Sequence, residues 1–581
     1  MKILIVGGGI SGISAAKVAL KKKHDVTVLE CADEPGGLMA RIANCRVGFK
    51  TFLDEIADDP RLTIIRQGKI ATVDKKEGRF MVNLEDGRSL TADKVVIATG
   101  LSPYDPVEYK GKRVLTSLEY DQIIDQRNAD LPAAFNRVAF VLCVGSRSKE
   151  YPLCSSVCCS YSLREIKWTL QRAKPAITVF YNDLRYFGQE FYLEKVYRDA
   201  GVTFIRANSR YFDEDETGVN VRYFAEGKLK EERFDYVVLA IGLRPNPMLE
   251  SLSKLFGFSL NEYKFVKEEE PLKTDVEGIY VSGGALEPMN IKDSILTGFG
   301  AGLRAATNGD GVSDAAAASD ERLYRKEAPV LAGPEGDFDS CLFYITSDDP
   351  GMRIFYEFVS SKFIAMARDL KRSGKTVYVI TRNVVAPSYD ELEYEEARRD
   401  GIVAIHLEEG EAISFAEGKA FIKGPGREIT LPVDRVINFD DYAHIFKDGE
   451  FLSLYRSEPQ LRWNPTRWGR KKYHVGFIRH PRAERWEKRE VLGAFGEMLL
   501  DAEEERVLPE VNEERCSGCG SCKDACPQKA IEMVIREKVI AVFGPQAATG
   551  EPIAHIKEDA CVSCGLCAST CPSDVISLPE G

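Results

Sequence analysis

Twelve cysteines gathered in three groups of four constrain this chain more than any other feature. Near the C-terminus, the runs Cys516-x2-Cys519-x2-Cys522-x3-Cys526-Pro527 and Cys561-x2-Cys564-x2-Cys567-x3-Cys571-Pro572 share one spacing. Thiolates at that spacing fold a short loop around a [4Fe-4S] cubane, and where two such runs are paired the fourth cysteine of each ligates the other cluster. One cubane is therefore expected on Cys516, Cys519, Cys522 and Cys571, the other on Cys561, Cys564, Cys567 and Cys526. Between the runs, 530–533 is expected as a short helix and 539–542 as a strand, both packing on the cubanes. The third group, Cys143, Cys154, Cys158 and Cys159, follows no common motif, and its meaning depends on its surroundings.

A chain of 581 residues with 44% hydrophobic content is long enough for three to five globular domains. The net charge of -12 argues against nucleic acid as a partner. Of fifteen cysteines only Cys31, Cys45 and Cys341 fall outside the three groups, which fits metal ligation in a reducing cytoplasm better than a disulfide framework. The apolar N-terminal stretch is interrupted by Gly7, Gly8, Gly9 and Gly12, so neither a signal peptide nor a membrane span is expected there. No other segment approaches twenty apolar residues, and membrane contact is expected only through partners.

Ile3, Leu4, Ile5 and Val6 form a buried-strand run, followed at once by Gly7-x-Gly9-x-x-Gly12 and a helical stretch at 13–21. The glycines permit a tight turn and close approach of backbone N–H groups to a pyrophosphate at a helix N-terminus. A second apolar run at 26–29 ends in Glu30, placed to accept hydrogen bonds from an adenosine ribose. Such a loop alone does not separate NAD from FAD. Here Glu34-Pro35-Gly36-Gly37, Val95-Val96-Ile97-Ala98-Thr99-Gly100 and Gly278-Ile279-Tyr280-Val281-Ser282-Gly283-Gly284 follow it. These resemble the successive FAD-contacting segments of the two-dinucleotide-domain flavoproteins. The resemblance implies FAD held by Gly7, Gly9, Ser11, Gly12, Glu30, Gly36, Gly37, Leu38, Thr99, Gly100, Gly283, Gly284 and Ile291. The run 288–294 reads as a capped helix start whose positive end faces the flavin. One departure is that the acid usual after Gly283 is replaced by Gly284.

In such flavoproteins a second domain of the same topology interrupts the first, and 138–245 fits it. After its opening strand at 138–142, a nicotinamide binder would carry a second glycine loop. This chain reads Cys143-Val144-Gly145-Ser146-Arg147 and then Cys154-Ser155-Ser156-Val157-Cys158-Cys159. The residues alone leave three readings open: structural thiols, a redox disulfide, or cluster ligands, with the adjacent Cys158 and Cys159 awkward for a simple dithiol pair. The constellation resembles the A-type subunits of heterodisulfide reductase, iron-sulfur flavoproteins in which such elements carry a [4Fe-4S] cluster near the FAD. That resemblance covers 1 to about 310 and the C-terminal two-cluster ferredoxin module. It implies three [4Fe-4S] clusters in all, an FAD and iron-sulfur electron-transfer subunit with or without electron bifurcation, and a hetero-oligomer with cluster-rich subunits of the B and C type. The chain departs from methanogen-type members in lacking their extra N-terminal domain and inserted ferredoxin region. Its shorter layout also resembles the flavoprotein subunits of quinone-interacting oxidoreductases, which implies partnership with a quinone-reactive membrane subunit. A self-contained NAD(P)H-dependent reductase, similar to the small subunit of glutamate synthase, would need the second glycine loop; Gly298-x-Gly300-x-Gly302 falls in a helical stretch instead. A scaffold whose clusters are structural is the remaining reading. No nucleophile or general base stands out, so no catalytic side chain is expected.

Residues 338–500 echo the middle of the chain at a spacing of about 200. Arg198-Asp199-Ala200-Gly201-Val202 matches Arg399-Asp400-Gly401-Ile402-Val403, and Asp235-Tyr236-Val237-Val238-Leu239 matches Asp434-Arg435-Val436-Ile437-Asn438. A duplicated α/β unit accounts for this. It has neither a glycine loop nor the four thiols, so it is expected to bind no cofactor. Arg462, Arg467, Arg470, Lys471, Lys472, Arg479, Arg482 and Arg485, interleaved with Trp463, Trp468 and Trp486, read as a docking patch or a solvated face within 462–489. The fold class expected is α/β. An FAD-binding domain takes 1–137 and 246–310, an inserted unit with an iron-sulfur site 138–245, and a linker 311–337. A degenerate α/β repeat occupies 338–505 and an α+β ferredoxin domain 506–581.

Overall fold

The computed structural model describes every residue except 44, 110, 126–130, 132–134, 187–189, 208–209, 226, 308–322, 327, 348, 409, 447–466, 470–471, 477–485, 501–508, 527–528, 537–550, 558–560, 562–566, 569–570, 572–574 and 578–581. Three units follow one another. Each runs strand, helix, strand, helix, strand, three-stranded antiparallel ribbon, strand. The parallel strands are near-continuous apolar runs because both faces of each sheet are covered.

The first sheet has the order Ile279–Val281, Lys94–Ile97, Lys2–Val6, Asp25–Leu29, Leu62–Ile65, all parallel. The second has Thr203–Arg206, Ala176–Tyr181, Arg137–Val144, Tyr236–Ile241, Val114–Thr116, again all parallel. Val114–Thr116 and the helix Ser117–Ile124 therefore stand with the second unit, although 1–137 was expected to belong to the first. The chain leaves the first sheet after Ile97 and crosses through Leu101–Pro103, which pairs antiparallel with the returning Leu243–Pro245. The third sheet, Val403–His406, Thr376–Thr381, Ser340–Tyr344, Arg435–Asn438, repeats the second without its edge strand among the described residues. Phe140, Leu163, Val179 and Leu184 of the second unit share one buried cluster with Phe343, Val359, Phe363 and Val384 of the third.

Four helices place the sites: α1 (Ile10–Lys21), α2 (Cys158–Arg172), α3 (Ile291–Ala306) and α4 (Glu487–Leu500). Helix α3 lies between α1 and α4 and touches each through glycines. A Cβ on Gly302 would stand 2.5 Å from Ala15 O, and one on Gly298 would overlap Ser11 O. On the other side, a Cβ on Gly300 would stand 3.1 Å from Leu492 Cβ, and one on Gly496 2.7 Å from Phe299 O. The end of the repeat thus packs on the first unit. The expected linker also holds Leu323–Lys326, which pairs parallel with Lys472–Gly476; residues 308–322 lie outside the described residues. Among the described residues no helix is long and apolar enough to cross a membrane.

In the C-terminal module, Ile531–Arg536 is a strand paired with Glu551–Ile556, not the short helix expected at 530–533. The four-residue window hid an alternation in which Ile531, Met533 and Ile535 take one face, the period of a strand. The strand expected at 539–542 lies outside the described residues.

Because backbone atoms line the α1–α3 crossing, Gly302→Val is expected to destabilise the protein by about 3 kcal/mol, the upper end of overpacking costs. Denaturant unfolding followed by circular dichroism checks this, and a midpoint within error of the native protein would contradict the crossing.

Candidate functional site

The glycine loop is shaped by its own backbone. Gly7 has φ +116°, and a Cβ there would overlap Ala98 O, while one on Gly12 would overlap Gly7 O. Gly9, in contrast, has nothing within 4 Å of such a Cβ, which leaves its side of the loop open at the N-terminus of α1. Glu30 is buried and accepts the Gly8 N–H at 2.9 Å and the Ala32 N–H at 2.8 Å, so it ties the loop to the second strand. The Gly36 N–H donates to Gly8 O, and Gly37 stands against Gly9. Gly283 lies beside Ser11, and its N–H donates to Thr297 Oγ1 at 3.0 Å.

Gly284 approaches Gly100 and Leu101 so closely that any Cβ would overlap the Leu101 side chain. That is the physical reason no acid stands there. Asn290 caps α3 by accepting the Asp293 N–H at 2.9 Å, which puts Ile291 in the first turn, as the sequence predicts. Leu38 is half-buried on the short helix Gly37–Arg41. Thr99 Oγ1 and Ser282 Oγ are buried here without a hydrogen-bond partner; Ser282 carried no sequence signal. An open loop, a helix N-terminus and orphaned hydroxyls fit a dinucleotide with a polar ring system.

The four thiols of the third group come together where the second sheet meets α2. Cys143 ends the central strand with φ +64°, followed by Arg147 at +54° and Ser156 at +64°, three non-glycine residues in the left-handed region. Such strain persists where the surroundings over-determine it, which is common at functional sites. Cys158 and Cys159 open α2, where the helix dipole favours negative charge. Cys158 interacts with Cys143 and Cys159, and is pushed up to about 12 by these sulfur neighbours and by burial. Burial likewise raises Cys154, against the pull of Arg185. None of the four is in a disulfide.

Around them the Oγ atoms of Ser146, Ser155 and Ser156, Tyr151 Oη, Arg147 Nη1 and Arg185 Nη2 are buried without hydrogen-bond partners. Buried donors of this kind call for an acceptor, and thiolates with inorganic sulfides supply several. Among the described residues no group of three or more His, Cys, Asp or Glu converges on a single metal ion. A cubane instead spreads its four thiolates over four irons.

A buried charge network backs this site, and sequence reasoning missed it. Arg147 bonds Asp183 at 2.7 Å and Glu391 at 3.0 Å; Arg185 pairs with Glu391, and Arg206 lies 3.4 Å from Asp183. Burial would raise Asp183, but His406, Arg147, Arg185 and Arg206 hold it well below the usual carboxylate range. The contacts between the second and third units are reciprocal. The Leu184 N–H donates to Asn383 Oδ1 at 3.0 Å and the Val384 N–H to Asp183 Oδ1 at 3.3 Å, between residues that match at a spacing of 200. The same stretch of the third unit reaches the flavin side, where buried Glu287 accepts from Ser388 Oγ at 2.7 Å and pairs with Arg489 of α4. Arg489 is thus no part of a surface patch. Trp486 is buried beneath it, and most of 462–489 lies outside the described residues.

In the C-terminal module, buried Cys522 and Cys567 share a small core with Ile531, Ala554, Val575 and Ile576, and Cys516, Cys526 and Cys571 pack against it. Cys561 is also buried. The Ser521 hydroxyl and N–H hold exposed Cys519 below the ordinary thiol value. Cys564 lies outside the described residues.

Residues 1–145 match the family described as Pyridine nucleotide-disulphide oxidoreductase, and residues 515–575 match the 4Fe-4S dicluster domain. The chain is 31% identical over 243 residues to the A-type subunit of the H(2):CoB-CoM heterodisulfide,ferredoxin reductase of Methanothermobacter marburgensis, covering 36% of each chain. It is 23% identical over 463 residues to the A-type subunit of the ferredoxin:CoB-CoM heterodisulfide reductase of Methanosarcina acetivorans, covering 68% of this chain and 55% of that relative. A solved thioredoxin reductase of T. acidophilum aligns with 53% of this chain and 96% of its own, at 22% identity and a TM-score of 0.41. The chain spans little more than a third of the length of the first curated relatives it matches. It is similar to the A-type subunits of heterodisulfide reductase. It is an α/β oxidoreductase chain that joins a Rossmann-type FAD fold to a C-terminal 4Fe-4S dicluster domain.

Asp183→Asn leaves three guanidiniums facing one carboxylate, Glu391, and is expected to cost about 3–5 kcal/mol at neutral pH. Asp183 is held low in the folded protein, so its stabilisation is complete above about pH 4 and is lost as pH falls from there towards the folded value. Stability measured against pH by denaturant unfolding should therefore decline less steeply below pH 4 in the variant than in the native protein.

Proposed function

We propose that this chain is the FAD and iron-sulfur electron-transfer subunit of a heterodisulfide-reductase-like redox complex. The observation that carries the reading is the strained loop that brings Cys143, Cys154, Cys158 and Cys159 together at the head of the second unit. This is the position where a nicotinamide-binding relative would place a glycine loop. When bound, FAD supplies the exchange between two-electron and one-electron chemistry, and [4Fe-4S] clusters carry single electrons.

The chain's own residues do the rest. The open side of Gly9 and the N-terminus of α1 receive the pyrophosphate, Glu30 fixes the loop, and the capped start of α3 at Asn290 and Ile291 offers its positive end to the flavin. Gly7, Gly9, Ser11, Gly12, Glu30, Gly36, Gly37, Leu38, Thr99, Gly100, Gly283, Gly284 and Ile291 form the FAD site. The four thiols at 143–159 take one cluster. Cys516, Cys519, Cys522 and Cys571 take a second, and Cys561, Cys564, Cys567 and Cys526 a third. The second and third units exclude water from the four-thiol site through their shared core.

The names of the relatives support B- and C-type subunits as partners in a hetero-oligomer, working in the cytoplasm. A quinone-reactive membrane subunit is the alternative partner. A self-contained NAD(P)H reductase is disfavoured, because the strand Arg137–Val144 runs into Cys143 and Arg147 rather than into a pyrophosphate cradle.

Anaerobic purification should yield about twelve irons and one FAD per chain, and a Cys158→Ala, Cys159→Ala variant about eight irons, at four irons per four-cysteine site. About eight irons in both proteins would remove the third cluster and leave the four thiols as a redox disulfide.

A further inference from the structure

The network behind the four-thiol site does not balance its own charge. Arg147, Arg185 and Arg206 bring three positive charges, and only Asp183 and Glu391 answer them. His406 adds none at neutral pH, since burial, Arg206 and Arg147 outweigh Asp183 and keep it below its ordinary value. Both guanidiniums nearest the site are almost fully buried, their side chains 9% and 2% exposed for Arg147 and Arg185. An unmatched buried cation costs several kcal/mol unless an anion stands beside it.

The thiols are the nearest candidates. Arg147 feels Cys143 and Cys154, Arg185 feels Cys154, and each guanidinium keeps one buried N–H group without a partner. Both are held from the third unit. Glu391 bridges Arg147 and Arg185, while the carbonyls of Val384 and Ala386 accept from Arg185 at 3.0 and 2.5 Å.

We propose that Arg147 and Arg185 are positioning residues that set the redox equilibrium of a cluster on Cys143, Cys154, Cys158 and Cys159, and that Glu391 of the third unit limits how much of their charge it feels. The inference rests on the iron-sulfur reading of that site. The repeat, which keeps no cofactor residues of its own, becomes the electrostatic wall of its sister's site. Reduction adds one electron and hence one negative charge to the cluster. Removing a nearby buried cation therefore disfavours the reduced form, and removing a buried anion favours it. At the effective dielectric of a protein interior, one close unit charge changes such an equilibrium by about tenfold or more.

The test is a mediator-dye redox titration of the purified holoprotein, with the reduced clusters followed by electron paramagnetic resonance and iron counted per chain. At the poise that half-reduces this cluster in the native protein, Arg185→Gln should lower the reduced-to-oxidised ratio about tenfold, and Arg185→Lys should restore most of it. Glu391→Gln should raise the ratio by a similar factor, with the two C-terminal clusters unmoved in every variant. A purely structural role would not produce shifts of opposite sign. Unchanged ratios in iron-replete Arg185→Gln and Glu391→Gln overturn the proposal. So does loss of about four irons from both of these variants and from Arg185→Lys, which assigns the network to assembly alone. About eight irons in the native protein would instead sink the iron-sulfur reading of the site.

Discussion

Asp183 is a carboxylate taken out of water and answered by three guanidiniums, and the arrangement of the second and third units depends on it. Its Oδ1 accepts the Val384 N–H and lies 3.4 Å from both Arg206 and His406, so one side chain joins two sheets that pair nowhere among the described residues. Desolvating that many charges is repaid only by close geometry, and removing one partner leaves the others uncompensated. The units on either side are therefore not free to separate like domains on a linker. The third unit has shed the residues that bind cofactors, yet it has kept the stretch from Asn383 to Glu391 that contacts Arg147 and Arg185 on one side and Glu287 on the other.

A second constraint fixes the opposite end of the repeat. Helix α3 is flanked by α1 and α4 at distances that only glycine permits on the contacting faces, so the capped N-terminus of α3 cannot tilt without backbone collision. The flavin-facing turn is thus held from below by α1 and from outside by α4. Arg489 on α4 adds a buried ion pair to Glu287, three residues before the Asn290 cap. Packing and electrostatics reach the same turn from one helix.

Much of this was legible in the chain. The glycine loop and the segments ending at Gly37, Gly100 and Gly284 announce a Rossmann-type fold, because each needs a glycine for a close approach that the backbone then makes. The C-terminal cysteine runs match the 4Fe-4S dicluster family. The repeat was visible because Arg198 to Val202 and their counterparts keep identity at one spacing. What could not be read were partnerships between single residues far apart. Arg147 and Glu391, or Asp183 and Val384, look like ordinary residues until the fold buries them together. The strand at Val114–Thr116 was missed because three residues carry no periodicity. Ile531–Arg536 was misread as helix because its alternation needs six residues to show.

Arg147 meets its partner Glu391 across 244 residues of chain. During synthesis the last of the four thiols, Cys159, leaves the ribosome 232 residues ahead of Glu391. At elongation rates of 5–20 residues per second, the pocket stands without its outer wall for roughly 10–50 s. Metal delivery to this site therefore has a time limit written into the gene, set by how long the second copy takes to arrive.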